Sequence, residues 1–199
     1  MDEPDFWKEY KRKHPKDVYD DLQKSEEGCN VRNTLRSYLI KSQYGLCGYC
    51  CQKIDTNHSS NEHIKPKGDG KYSKYSMDYD NLIASCQSRD SCTTKKDNKY
   101  DETSFVSPLE EECETHFQYF VTGEIEGTTD RGKDTCDLLG LNNYALRRAR
   151  MAQLKICEAY HDSKLVKDYY LTPIEGQLEP YADMIEFFYN TGYFDAEDD

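Results

Sequence analysis

Apolar and polar positions alternate with helical spacing most clearly at residues 31–44, VRNTLRSYLIKSQY, where Val31, Leu35, Tyr38 and Leu39 share one face and Gly45 supplies a stop. Upstream, residues 1–28 carry few apolar positions (Phe6, Trp7, Tyr10, Val18, Tyr19, Leu22). They predict short helical pieces interrupted at Pro15 that dock elsewhere through Phe6 and Trp7. Gln52–Asp55 and Glu62–Lys65 read as strands around a polar loop. A Gly/Lys/Ser/Tyr-rich loop follows over 66–80, then a short strand at Leu82–Ser85 and a helix from Cys92 to about Tyr100. His116–Thr128 predicts a hairpin turning at Gly123. Asp134–Leu139 is a short helix stopped by Gly140, and Asn142 or Asn143 can cap a longer helix from Tyr144 to about Tyr160. Leu146, Ala149, Ala152 (or Gln153) and Ile156 are the expected apolar face of that helix. A last helix after Glu179-Pro180 carries Met184, Ile185, Phe187 and Phe188, and FDAEDD reads as a solvated tail.

Composition adds a tension. Only 34 of 199 residues are Leu, Ile, Val or Phe, and the net charge is -12, which leans toward disorder. Seventeen Tyr and nine Cys argue for order supplied by aromatic rings and a metal. No run reaches the ~18 apolar residues of a membrane span, and the N-terminus lacks the apolar stretch of a signal peptide. The expectation is a cytoplasmic protein whose thiols stay reduced and bind metal.

The charge is uneven. Residues 1–80 hold 14 basic and 14 acidic residues, residues 81–100 hold four and two, and residues 101–199 hold 8 and 22. A polyanion would be repelled by the second half and tolerated by the first. The expected division is therefore a helical segment over 1–45, a compact metal-bound unit over 46–105, and an acidic hairpin-plus-helices region over 106–199 that faces a partner.

The chemistry concentrates between Cys47 and Asn98. Cys47-x2-Cys50 is a zinc knuckle, and Cys86 with Cys92 can complete a four-thiolate tetrahedron if Ser88-Arg89-Asp90 bulges away. Cys51 is expected to point away from the knuckle. Cys29, Cys113, Cys136 and Cys157 read as small apolar residues. Between the pairs, His63 can act as general base toward water, and its neighbour Glu62 can ligate Mg²⁺ or another divalent ion. His14, His58, His116 and His161 read as structural or merely exposed. Asn81 can orient the His63 loop by bonds to backbone, or simply start a strand. Lys65, Lys67, Lys71, Lys74, Lys95 and Lys96, with Tyr72 and Tyr75, form either a solvated face or a phosphate-contacting one.

In order, Cys47, Cys50, Glu62, His63, Pro66, Asn81, Leu82, Cys86, Cys92 and Lys96 resemble the HNH endonuclease pattern: C-x2-C, acid or His then His-x-x-Pro, Asn-Leu, and C-x2-C-His-x-x-Lys. The resemblance implies an α+β protein with a zinc-bound ββα-metal core, flanking helices and a small hairpin. It also implies His63 as general base, Asn81 as its positioner, Glu62 as a ligand of catalytic Mg²⁺ or Mn²⁺, and hydrolysis of a nucleic-acid phosphodiester. The residue after the last cysteine, often a metal-ligating His or Asn, is Thr93 here. Asp97, four residues on, is the candidate replacement if it shares the helix face.

A narrower resemblance rests on Pro108-Leu109, His116, Phe117, Tyr119 and Gly123, then Leu139-Gly140-Leu141-Asn142 with Leu146 and Arg150. These are similar to the PtuB-type HNH nucleases of Septu and retron-associated antiphage defence. That likeness implies an effector that cuts DNA, held by a PtuA-type ATPase; the closeness of Lys65, Lys67, Lys95 and Lys96 to the His63 region makes them the expected nucleic-acid contacts. The competing reading is a zinc module that binds nucleic acid or a partner without cleavage, and a third is an HNH nuclease working alone.

Overall fold

The computed structural model describes residues 2–160 and 162–195. The expectations for His161 and for the end of the tail, 196–199, lie outside the described residues. The protein is α+β: helices surround two separate two-stranded antiparallel ribbons.

Helix α1 (Asp5–Lys13) stops where His14 precedes Pro15, and Tyr19–Lys24 forms a 3₁₀ turn. Helix α2 (Glu26–Ser42) begins five residues before its expected start, because the Ser25 side chain caps it by accepting the Gly28 N–H at 3.0 Å. Gly28 is required there for a second reason: a Cβ would sit 2.4 Å from the Leu22 carbonyl oxygen. α2 therefore packs directly on the 3₁₀ turn.

Strand β1 (Ser59–His63) pairs antiparallel with β2 (Leu82–Cys86), placing His63 opposite Leu82 and Glu62 opposite Ile83. The expected strand at Gln52–Asp55 is reduced to one bridge, Leu46 to Lys53, because Cys47 and Gln52 are drawn together by the knuckle turn. Helix α3 (Cys92–Lys96) is shorter than expected. It ends when Asp97 takes a left-handed φ of 50°, and Asp97–Asn98 form a turn.

Beyond it, β3 (Phe117–Tyr119) and β4 (Ile125–Gly127) form the hairpin, turning through Gly123 at φ 75°. α4 (Asp130–Leu139) ends at left-handed Gly140, and Asn143 caps α5 (Tyr144–Glu158) by accepting the Leu146 N–H. The buried face of α5 is Leu146, Arg150, Leu154 and Cys157, so the expected face was rotated; Ile156 is exposed. Arg150 is buried because its guanidinium donates to the Leu141 carbonyl, a partner that hydropathy does not reveal. α6 (Ser163–Val166) runs into a π-helical turn over Lys167–Leu171, and α7 (Ala182–Asn190) buries Met184, Ile185 and Phe188.

Two apolar cores lie on either side of the β1–β2 ribbon. One gathers Trp7, Tyr10, Tyr19, Leu22, Leu35 and Leu39 with Leu82 and Ala84. The other joins Cys47, Cys50, Ile83, Cys86 and Cys92 to Leu139, Leu146, Leu154, Met184 and Ile185. The period-2 alternation of β2 sends Leu82 and Ala84 to the first and Ile83 to the second. The second core runs through both the 46–105 and 106–199 segments, and Tyr181 N–H donates to Cys51 O across them at 2.7 Å. Cys136 and Cys157 are buried as expected, Cys113 is half-buried and Cys29 is exposed.

Trp7 is fully buried, and its indole N–H donates to Met77 O at 3.1 Å. Trp7→Ala is expected to lower stability by about 3–5 kcal/mol in urea unfolding. A change below about 1 kcal/mol would mean that the N-terminal layer is not docked in solution.

Candidate nuclease site

The site is built from the knuckle outward. Cys51 N–H donates to Cys47 O, Cys47 N–H donates to Gln52 O, and Gly48 N–H donates to Ala84 O, so Cys47–Cys50 closes tightly against β2. Gln43, at the end of α2, clamps the same place. Its amide donates to Leu46 O and Ala84 O and accepts from Ala84 N–H. Gln87–Asp90 turns outward and brings Cys92 back under Cys86, as the bulge reading requires.

The result is four buried sulfurs, of Cys47, Cys50, Cys86 and Cys92, within 4.8 Å of one another. Cys47 to Cys92 is 3.9 Å and Cys50 to Cys86 is 4.0 Å. A tetrahedron with Zn–S bonds of about 2.3 Å has edges of about 3.8 Å, so the set fits a zinc ion. Cys86 N–H also points at Cys47 Sγ, 3.3 Å away. Burial opposes ionisation of Cys47, yet the three neighbouring thiols and that N–H hold it well below the ordinary thiol range. The thiols of Cys50 and Cys92 are pushed well up by sharing their protons with this cluster. Cys51 stands outside the tetrad, and burial pushes its thiol up.

On the opposite side of the ribbon sits His63, only 6% exposed. Its Nε2 lies 3.0 Å from Ser76 O, and a carbonyl only accepts, so Nε2 carries the proton and Nδ1 keeps its lone pair. Burial first, then the charges of Lys67 and Lys96, lower the His63 pKa to about 4, which keeps the ring neutral. The Tyr19 ring meets it edge-on at 4.5 Å.

Asn81 is buried beside it. Its Oδ1 accepts the Lys65 N–H at 2.7 Å, and its Nδ2 donates to Lys65 O and Tyr75 O, both at 3.1 Å. One amide thus pins the backbone two residues past His63 and the loop that supplies Ser76. These are the bonds to backbone that the first reading of Asn81 anticipates.

Glu62 faces the thiol side. Its Oε1 accepts from the Lys96 ammonium at 3.0 Å and from Tyr49 OH at 3.2 Å. Lys96 is fully buried and also donates to His63 O at 3.0 Å. It therefore braces the ribbon from inside, and its charge is not offered to a phosphate, a correction to the expected lysine contact. Asp97 is exposed and off the helix, so the shared-face argument for it as a metal ligand fails. Thr93 keeps a buried Oγ1 with no hydrogen-bond partner.

Of the remaining lysines, Lys65 lies over the Tyr75 ring at 4.9 Å and pairs with Glu102, Lys67 pairs with Asp20 at 2.5 Å, and Lys95 is exposed. Lys71 and Lys74 sit over Tyr72 and Tyr75. Two basic residues escaped the sequence reading, Arg32 and Arg36 of α2. Arg32 lies 6.0 Å from the Tyr19 ring, and both arginines have a buried Nε without a partner. Their i, i+4 spacing beside a strand was the available signal. His58 is exposed against Asp55, His14 stacks on Tyr10, and His116 bonds Thr129.

No family model matches the chain. It is 31% identical over 134 residues to the "Retron Vc95 putative HNH endonuclease" of Vibrio cholerae serotype O1 biovar El Tor, an alignment covering 63% of this chain. The same alignment spans 65% of that relative, a little under two thirds of its length. The likeness is to a protein whose name places it among the HNH endonucleases.

Two measurements test the site. Purified protein is expected to hold about one zinc per chain by elemental analysis, with Cys47→Ser or chelation abolishing the cooperative thermal transition. An unchanged transition after complete metal removal would contradict the tetrathiolate reading. Lys96→Met should cost about 3–5 kcal/mol, because it strands a buried carboxylate, and adding Glu62→Gln should restore most of it. Equal stability of the single and double variants in urea would rule out the coupling.

Proposed function

We propose that this chain is an HNH nuclease that hydrolyses DNA phosphodiester bonds on a zinc-held ββα-metal core formed by β1, β2 and α3. The observation that carries the reading is the His63 ring, neutral, oriented by Ser76 O, and left with Nδ1 as its acceptor. Nδ1 takes the proton of a water as its oxygen bonds to phosphorus and the bond to the leaving ester oxygen breaks. Asn81 holds Lys65 and the Tyr75–Ser76 loop still during that step. Lys65, Lys67 and Lys95, joined by Arg32 and Arg36, supply the positive surface along the strand.

A divalent ion, Mg²⁺ or Mn²⁺, has one carboxylate to use at Glu62, and Mg²⁺ sites are often completed by water and phosphate. An ion held there would lie on the thiol face of the ribbon, across it from His63, so the His63 step is not routed through it. The Lys96 ammonium on Glu62 Oε1 weakens that affinity by neutralising the carboxylate.

The retron in the relative's name supports assigning the chain to antiphage defence, and the sequence likeness to PtuB-type nucleases makes a PtuA-type ATPase the proposed partner. Charge and surface support the partner face: exposed Phe120, Val121, Tyr144, Ile156, Tyr169 and Ile174 all lie in the acidic second half. No helix among the described residues is long and apolar enough to cross a membrane, and a cytoplasmic location fits nine free cysteines.

The purified chain, alone and with the ATPase, is expected to nick plasmid DNA in Mg²⁺ or Mn²⁺. His63→Ala should lower the rate by about 10²–10⁴-fold while keeping the zinc content. Undiminished cleavage by that variant rejects the mechanism. The competing zinc-module reading is favoured by the Lys96–Glu62 pair, and no nicking under any metal, partner included, would select it.

A further inference from the structure

His63 is covered by this chain's own N-terminal layer. Tyr19 lies edge-on to the imidazole, and its hydroxyl accepts from Asn61 Nδ2 at 2.8 Å. One residue on, Asp20 reaches across to the Lys67 ammonium at 2.5 Å. The other two acids of the segment are used within their own layer: Asp17 accepts from Tyr10 OH, and Asp21 from Val18 N–H and Lys24. Only Asp20 is turned to the catalytic side. Arg32 lies 6.0 Å from the Tyr19 ring, and Arg36, one turn on in α2, donates to Thr56 O at 3.2 Å.

A planar ring, a hydroxyl oxygen and an anion are thus presented to His63, Asn61, Lys67 and Arg32 over two consecutive residues. A nucleotide unit presents the same three groups to a nuclease surface. We propose that Val18–Asp21 occupies the seat of one nucleotide of the substrate strand, with Asp20 in the place of a phosphate and Tyr19 in the place of a nucleoside ring. The segment then yields to DNA for cleavage. This rests on the nuclease reading above and adds where the strand lies and what holds the site closed. Trp7 and Leu22, both fully buried, anchor the flanks, so the exchange is limited to Val18–Asp21 and requires Tyr19 to leave its place at the edge of the first core. The acidic turn also repels strands that do not bring enough contacts to displace it, which makes the closed state a filter on substrate.

The Asp20 side chain is more than half exposed, so Asp20→Asn leaves the fold intact. Binding of fluorescent single-stranded and duplex DNA is measured by anisotropy without added Mg²⁺ or Mn²⁺, over a range of salt. Asp20→Asn is expected to tighten binding about fivefold near 0.15 M salt and to steepen the salt slope by about 0.7–0.9, the signature of one further phosphate contact. In a Lys67→Ala background the same substitution should give no gain. Tyr19→Phe, which removes only the hydroxyl, should tighten binding less than Asp20→Asn. Wild-type binding with no gain in Asp20→Asn, or a gain that survives Lys67→Ala, overturns the proposal and leaves the nuclease reading standing. Failure of every form to bind DNA overturns both.

Discussion

Four sulfur atoms drawn to within 4.8 Å of one another are the constraint on which the rest of this structure depends. The chain has few aliphatic residues and a large negative charge, and such a chain has little apolar area with which to offset the entropy of folding. The thiol cluster substitutes for part of that missing core. It sits in the middle of the larger apolar cluster, between Ile83 of β2 and the helices of the second half. What it fixes is a short two-stranded ribbon, a structure that is marginal by itself in water. Once the ribbon is fixed, alternation along β1 sends Glu62 to the thiol side and His63 to the other, and each meets its own set of partners.

Much of the frame was legible in sequence, for a physical reason. Cysteine pairs, an asparagine before an apolar run, and Gly or Asn at helix ends act through one or two residues, so their meaning survives without tertiary context. The Asn143 cap, the Gly140 stop and the backbone-bonding Asn81 are of this kind. The features that were not legible depend on groups distant in the chain. Lys96 reads as a surface lysine until Glu62 and the His63 carbonyl are brought to it. Arg150 reads as polar until Leu141 O meets it, and so the apolar face of α5 was assigned to the wrong side. The end of α3 was missed because Asp97 leaves the helix at a φ of 50°, which the run of helix-compatible residues through Tyr100 did not signal. Tyr19 against His63 joins residues 44 apart in the chain, and no local pattern announces it.

The two faces of the ribbon also divide the charge. The thiol face is backed by the acidic half, and its buried cations, Lys96 and Arg150, are consumed internally. The His63 face carries Arg32, Arg36, Lys65 and Lys67, so the surface most suited to a polyanion is a local one on a chain whose net charge opposes it. Association with nucleic acid is then expected to depend on orientation more than on overall charge, with rates that rise when a partner screens the acidic side.

The Gln43 clamp and the cysteine spacing together have a consequence in time. Cys47 and Cys50 lie about forty residues from Cys86 and Cys92, so the intervening chain must close on itself before four thiols can meet. Gln43, bonded to Leu46 and to Ala84, spans the same gap without metal and can hold the two ends in register first. The order that this arrangement favours is helix α2 and its amide clamp early, ribbon next, thiol cluster last. The closing of the thiol cluster then marks the moment at which His63 acquires its final surroundings.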